Sequence, residues 1–188
     1  MATVLVPLAQ GCEELEAVTV IDLPRRAGIA VITAGLEEGP VTGSRGTVLV
    51  PDTTLDAVLN DDFDMIVLPG GLPGADNLNQ DPRIHSLLEK LAGEDKPVAA
   101  ICAAPKVLAT AGLLDGRHAT SYPGSLEGIE TRDLQYEQQA VVVDGNVITS
   151  RGPGTAMDFA LTLIEILLGR DERDRVEAAL QRPGKTAA

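Results

Sequence analysis

Between Pro97 and Pro105 the chain reads Pro-Val-Ala-Ala-Ile-Cys-Ala-Ala-Pro, the segment that most narrows what it can fold into. An apolar run ends in a cysteine, two small residues follow, and a proline opens a helical pattern from Lys106 to Ala111. That order reads as strand, sharp turn and helix, with Cys102 at the turn. A side chain there is pushed out at the carboxyl end of the strand, as in nucleophile elbows. It also lies at a helix N-terminus, where the positive end of the dipole favours a thiolate. Ala103 and Ala104 suit a turn too tight for larger side chains, and Pro105 suits a first helical turn. The same letters also describe a buried structural cysteine ending a plain core strand, because free cysteine is often fully buried.

The rest of the chain alternates in the same way. Thr3–Leu8 reads as a buried strand. Glu13–Ala27 follows as a helix, with Leu15, Val18, Ile21 and Leu23 as apolar marks and Gly28 as its stop. Pro24 lies inside that pattern and is expected to kink or disturb it. Ile29–Ala34 is a second strand, Gly35–Gly46 a loop, Thr47–Val50 a short strand and Thr54–Leu59 one or two helical turns. Asp64–Leu68 is a strand running into Pro69-Gly70-Gly71. Ile84, Leu87, Leu88 and Leu91 share a helical face. Ala119–Tyr122 reads as a further strand. Ala140–Val143 and Asn146–Ser150 flank Asp144-Gly145, a strong hairpin signal. Phe159–Leu168 is a strongly apolar helix, Asp171–Gln181 a polar helical tail, and Pro183–Ala188 is expected to fray.

Strands alternating with helices predict an α/β sandwich on a mostly parallel central sheet. The 188 residues fit a single domain, 1–188, with no internal repeat or linker. In such folds the site lies beyond the carboxyl ends of the strands. Four segments meet there: Gln10–Glu16, Pro69-Gly70-Gly71, the Cys102 turn and Ser121-Tyr122-Pro123.

Composition narrows the function. A net charge of −13, spread along the chain, argues against nucleic acid or an anionic membrane as partner. No apolar run is long enough to span a bilayer, and the N-terminus lacks the pattern of a signal peptide. Two cysteines, Cys12 and Cys102, argue against a disulfide framework or a cysteine-based zinc site, and a reduced cytoplasmic setting is expected. No metal or other cofactor is expected.

Cys102 needs a group to tune it. Histidine is the usual base, and there are two. His85 falls on an exposed helix face. His118 precedes the Ala119–Tyr122 strand, so at about 3.3 Å per residue it lies more than roughly 10 Å from the carboxyl end. A Cys-His protease or amidase dyad is therefore disfavoured. The first loop offers Glu13, Glu14 and Glu16 instead. A carboxylic acid kept neutral by poor solvation can donate a hydrogen bond to a thiolate and move protons. Acids in a first helical turn are also simply favourable there. Glu13 and Glu14 are assigned to that plain role and Glu16 to function, although periodicity alone does not separate them. Gly70 and Gly71 can turn sharply beside Cys102 and, with the N–H of Ala103, form an oxyanion hole, or merely a strand-to-helix turn. Gly152-Pro-Gly154 lacks the lysine of a phosphate loop.

Four motifs, Gly11-Cys-Glu-Glu-Leu-Glu16, Leu68-Pro-Gly-Gly71, Ala100-Ile-Cys-Ala-Ala-Pro105 and Thr149-Ser-Arg-Gly-Pro-Gly-Thr155, occur in that order. Together they resemble the ThiJ/PfpI superfamily, and within it the parkinsonism-associated deglycase and YajL branch. Ile21–Gly28 and Ser44-Arg45 resemble that branch too, and the likeness covers roughly Thr3 to Gly169. It implies a flavodoxin-like, three-layer fold and a homodimer. It implies that Cys102 is the reactive cysteine and Glu16 its protonated partner, with Gly70, Gly71 and Ala103 around the pocket. Arg45 and Arg26 match arginines near the dimer interface and site. Proteases and amidases of the family usually carry His after the nucleophile, where this chain has Ala103. Tyr122 stands where the human-type member has a histidine, and a phenol there can orient a substrate carbonyl. Cys12 falls where a small residue is usual, either as filler or as a second oxidation site. Val50 replaces an interface cysteine of some relatives.

The activity this implies is a cysteine-dependent, cofactor-independent glyoxalase or protein deglycase. Its substrates are methylglyoxal, glyoxal or a glycated protein carrying early adducts. The alternative is a redox-responsive protective protein or chaperone working through oxidation of Cys102.

Overall fold

Alternate residues of the first strand, β1 (Thr3–Leu8), enter different layers. Val4, Val6 and Leu8 join one buried cluster, while Leu5, with Ala9 just beyond the strand, joins another. A strand's period of two thus divides the core into two halves on either face of a sheet. The computed structural model describes residues 1–183, so all but the first residue of the segment expected to fray lies outside the described residues.

From β1 the chain runs through α1 (Glu14–Arg26), β2 (Ala30–Gly35), β3 (Val41–Thr42), β4 (Val48–Leu49), β5 (Thr53–Thr54), α2 (Leu55–Val58) and β6 (Met65–Leu68). It continues through α3 (Gly74–Gln80), α4 (Pro82–Gly93), β7 (Val98–Ile101), α5 (Pro105–Thr110), β8 (His118–Ala119) and β9 (Gln135–Tyr136). The last elements are β10 (Val141–Asp144), β11 (Val147–Ser150), a 3-10 turn at Pro153–Thr155, α6 (Ala156–Leu168) and α7 (Arg170–Ala179).

The main sheet has the order β10-β11-β7-β6-β1-β2-β5. All its pairings are parallel except β10 with β11, the hairpin turning at Gly145 with φ +59°. Every residue of β6, β7 and β11 is buried, as a parallel sheet covered on both faces demands. Ala17, Val20 and Leu23 of α1, with Phe159, Leu163 and Ile164 of α6, cover one face. Leu78, Ile84, Leu88, Leu91 and Leu108 from α3, α4 and α5 cover the other. The result is the expected flavodoxin-like α/β sandwich. From β1 the chain goes to β2 on one side, and β6, β7 and β11 then fill the other. The crevice at the carboxyl ends of β1 and β6 is therefore the topological switch point, where such folds bind ligands.

Four readings are refined. Leu15 and Val18 are 52% and 46% exposed, and α1 turns Glu16, Ala17, Val20 and Leu23 inward instead. Helix α1 includes Pro24 and ends two residues after it, at Arg26. The Gly35–Gly46 loop contains β3, which pairs with β4 in a separate antiparallel hairpin. The Ala119–Tyr122 strand shrinks to β8, which pairs with β9 apart from the main sheet. The hairpin strand β10 already occupies the free edge of β11, leaving no place for a further parallel strand. Among the described residues no helix is long and apolar enough to cross a membrane.

Candidate active site

Cys102 follows β7 directly and has φ +64°, a left-handed conformation that costs a non-glycine residue roughly 1–2 kcal/mol. The surroundings hold it there. Its N–H donates to the Ser150 carbonyl at 2.9 Å, and its own carbonyl accepts from the Tyr122 N–H at 2.7 Å. Ala104 N–H donates back to Ile101 at 3.0 Å, closing the turn before Pro105 starts α5. The elbow expected from the sequence is present, and Cys102 is buried at its apex. Helix α5 spans six residues, so the N–H of Ala103, aimed at the sulfur, matters more than a macrodipole.

Gly70 lies against this elbow. A Cβ on it would stand 2.7 Å from Cys102 Cβ and 2.8 Å from Glu16 Oε2, so only glycine permits the approach. Gly71, at φ +87°, would bring a Cβ to 2.3 Å from the Glu13 nitrogen. The Gly-Gly pair is thus a spacer that lets the loops after β1, β6 and β7 touch.

Glu16 reaches the sulfur because of how α1 begins. Glu13 is the N-cap, its Oε2 accepting the Glu16 N–H at 2.8 Å, and its own N–H donates to the Gly70 carbonyl at 2.9 Å. The first turn then aims Glu16 at the sheet, where it is fully buried. Oε2 accepts the Gly70 N–H at 2.9 Å. Oε1 is buried with no partner of hydrogen-bond geometry, and the Cys102 thiol is the neighbouring group that interacts with the carboxyl.

Burial pushes Glu16 up to about 7, although the Cys102 thiol and the Gly70 N–H lower it, and the charge of Glu13 adds to the rise. Burial likewise pushes the Cys102 thiol up to about 12, followed by the Glu16 charge and the hydrogen bond to Glu16. The N–H groups of Gly71 and Ala103 work in the opposite direction. Two of the three groups of causes that hold the thiol protonated vanish once the proton sits on Glu16. The pair therefore titrates as a unit with two placements of one proton. One is thiol with carboxylate. The other is thiolate facing a carboxylic acid and two N–H donors, with Oε1 or its proton no longer unsatisfied.

The other expected residues divide. Gly71 and Ala103 present N–H groups to the sulfur. The Gly70 N–H does not join them as an oxyanion donor, because Glu16 already accepts it. Tyr122 is 53% exposed beside the elbow, with its ring 3.4 Å from the position of a Cβ on Gly152. Arg45 sits on the exposed turn between β3 and β4, its guanidinium bonded to the Ser44 carbonyl. Arg26 pairs with Asp22 at 2.6 Å in the last turn of α1. Ten residues of helix separate it from Glu16, about 15 Å, so it does not join the site within one chain. His85 binds the Asn79 carbonyl and His118 the Glu137 carboxylate, both away from Cys102. Cys12 is fully buried, and burial, with the charge of Glu14 next, pushes its thiol up to about 11, which suits a filler.

Sequence reasoning missed Glu14. Its carboxylate does not simply decorate the helix start. It accepts the N–H groups of Arg45 at 2.9 Å and Thr47 at 3.2 Å, and the Ser44 hydroxyl at 3.2 Å. Gly43 was the available signal, since a Cβ there would lie 2.7 Å from the Glu14 carboxyl carbon. The hairpin is fastened further by Gly11 N–H to Thr42 and Ser44 N–H to Cys12, each 2.8 Å.

Sheet order and site together define a doubly wound α/β protein whose strained cysteine elbow faces a buried acid across the switch-point crevice. The sequence matches the DJ-1/PfpI family over residues 2–166, and the chain belongs to that family. It is 44% identical over 179 residues to the Parkinson disease protein 7 homolog of Danio rerio, covering 94% of this chain and 95% of that one. It is 37% identical over 174 residues to the glutathione-independent glyoxalase DJR-1.2 of Caenorhabditis elegans, covering 91% and 90%. The solved structure of oxidized Toxoplasma gondii DJ-1 superposes with a TM-score of 0.92 at 38% identity, over 97% of this chain and all of that one.

Proposed function

We propose that this protein is a cofactor-independent glyoxalase in which Cys102 is the nucleophile and Glu16 the proton carrier. The observation that carries this reading is the buried Glu16 carboxyl, anchored by Gly70 and directed at the sulfur of a strained elbow. Its similarity to a glutathione-independent glyoxalase supports it. The thiolate adds to the aldehyde carbon of methylglyoxal, forming a C–S bond and an alkoxide. Gly71 and Ala103 N–H groups stabilise negative charge on the sulfur beforehand and on the oxygen as it develops. The alkoxide takes a proton to give a hemithioacetal. Glu16 then relays the former aldehyde hydrogen, as a proton, to the neighbouring carbon, which converts the hemithioacetal to a lactoyl thioester. Water releases lactate and returns the proton and the thiol. Each step uses the chain's own groups, the substrate and water. Tyr122, exposed beside the elbow, is assigned to orienting the substrate carbonyl. The same addition and rearrangement on early adducts of Cys, Lys or Arg is the deglycase form of this activity. No histidine contacts Cys102 among the described residues, which weighs against a protease or amidase.

The decisive comparison is methylglyoxal consumption and lactate formation, without glutathione, by wild type and Cys102→Ala. Lactate from wild type and a loss of roughly 10³-fold or more in the variant supports the reading. Equal lactate from both, or none from a folded wild type, overturns it.

A second reading rests on the same pair and on similarity to the structure of oxidized Toxoplasma gondii DJ-1. A protonated Glu16 can donate to an oxidised Cys102 sulfur, which suits peroxide sensing. Intact-mass analysis after mild peroxide checks it: oxygen must appear on Cys102 before Cys12 and the methionines.

A homodimer is proposed from the outward apolar side chains of α1 and the neighbouring hairpin. Leu15, Val18, Val48 and Val50 are 52%, 46%, 58% and 81% exposed. Arg26 and Arg45 would then serve the interface. Light scattering that finds only monomer overturns it.

A further inference from the structure

Beside the elbow lies a cavity of about 360 Å³, lined by Ser121, Leu126, Glu127, Leu134, Tyr136 and Arg151 among others. It is tied to Cys102 through the backbone. Ser121 precedes Tyr122, whose N–H donates to the Cys102 carbonyl, and Arg151 follows Ser150, whose carbonyl accepts the Cys102 N–H. Leu126, Leu134 and Pro123 give the cavity apolar walls.

One of its charges is unusual for this molecule. Among the described residues, every other arginine side chain has an ion pair or a hydrogen bond. Arg151 is half-buried and has neither. Glu127, on the same cavity, is also without a side-chain hydrogen bond or ion pair. The two line one space yet do not pair with each other. The hydroxyls of Ser121 and Tyr136 already donate to backbone carbonyls, so towards a ligand their oxygens act as acceptors. A guanidinium fork with no partner matches a carboxylate bidentately. An unpaired carboxylate and two hydroxyl oxygens match an ammonium group.

We propose that this cavity is a subsite for the α-ammonium and α-carboxylate of an amino acid, the part of a glycated substrate that does not react. The inference rests on the proposed function and narrows it, naming adducts of free amino acids as a substrate class beyond small dicarbonyls. Arg151 takes the carboxylate, Glu127 the ammonium, and the apolar walls the aliphatic side chain that leads towards Cys102.

Binding tests the subsite without relying on turnover. The probe is Nε-(1-carboxyethyl)lysine, a stable lysine adduct, compared by calorimetry with its Nα-acetyl, α-amide form, in wild type and in Cys102→Ala. The free form is expected to bind about tenfold more tightly. Arg151→Ala should reduce it to the level of the blocked form, and Glu127→Gln should weaken it several-fold. Arg132→Ala, on an exposed arginine outside the cavity, should leave the affinity unchanged, with folding of each variant checked by circular dichroism. Equal affinity of the two forms, no binding of either, or no effect of Arg151→Ala overturns the proposal. Discrimination between the forms in a protein that makes no lactate from methylglyoxal would leave the subsite standing and remove the glyoxalase reading.

Discussion

Glu14 and Glu16 lie two residues apart on one helix and hold their protons in opposite ways. Two residues turn a helix by about 200°, so the two carboxyls face opposite sides. Glu14 faces the β3–β4 hairpin. Against some desolvation, its own N–H, those of Thr47 and Arg45 and the Ser44 hydroxyl hold it below the ordinary carboxylate range. Glu16 faces the core, where burial outweighs the Cys102 thiol and the Gly70 N–H and lifts it to about 7. One carboxyl is held as an anion that organises a loop, and the other is raised by burial into the range where a carboxyl can exchange a proton near neutral pH. Number and direction of N–H donors, set against burial, decide between the two roles.

The largest expected effect comes from closing the space between the two regions. Gly70→Ala places a methyl group against Cys102 Cβ, Glu16 Oε2 and the Ile101 carbonyl, all within 2.8 Å. Backbone must move, so denaturant unfolding should show a loss of about 2–4 kcal/mol, with Cys102 alkylation and lactate formation altered together. Full stability would mean that the loops are not tightly docked.

Glu16→Gln separates charge from shape. Lactate formation should fall roughly 10²–10⁴-fold, the usual worth of a positioned acid-base group. Stability should change in a pH-dependent way. Glu16 is raised from 4.5 to about 7, so between these values the native chain holds a proton that the unfolded chain has released. Wild-type stability contributed here is present below pH 4.5 and lost as pH rises through about 7. At about 1.4 kcal/mol per pH unit the loss is of order 3 kcal/mol. Urea titrations at pH 4.5 and pH 8 should show this decline in wild type and not in Glu16→Gln. Parallel curves would place the proton elsewhere.

Glu14→Gln should show the opposite sign. Its folded value is lowered, so the stabilisation is present above the unfolded value and is lost as pH falls through the folded one. At pH 7 the variant should lose about 1 kcal/mol, with the gap to wild type closing in acid. Hydrogen exchange at the Arg45 and Thr47 amides should accelerate while that of Gly70 does not. Uniform acceleration would show that the hairpin and the elbow are one unit.

Cys12→Ala should matter least to function. The thiol is fully buried, so about 1 kcal/mol of stability is expected to be lost while lactate formation and peroxide uptake at Cys102 persist. Loss of Cys102 oxidation in this variant would make Cys12 part of the site.

Much of the architecture was legible because parallel strands buried on both faces are continuous apolar runs. Thr3–Leu8 reads as a strand with the bounds that β1 has, and Asp144-Gly145 marks the antiparallel turn between β10 and β11. Helix α3 was not legible, since Gly-Ala-Asp-Asn carries poor helix propensity and the segment is held by packing. Leu15 and Val18 mark the helix correctly, but an apolar letter does not say whether its side chain turns inward, and both turn outward. The candidate site is legible at Cys102 as a turn between small neighbours, and at Glu16 from resemblance rather than periodicity. Glu14, two positions away, was not, because its partners lie about thirty residues downstream and no local pattern points to them.

The sequence alone determined the alternation of strands and helices, the elbow at Cys102, the glycines that allow close approach, and the family. Those are properties of local backbone preference and residue size, which neighbouring letters carry. Only the tertiary structure decided which carboxyl has its proton affinity raised, which N–H groups face the sulfur, and which arginine is left without a partner among the described residues. Proton affinity and hydrogen bonding depend on burial and on groups distant in sequence, and only folding brings those together.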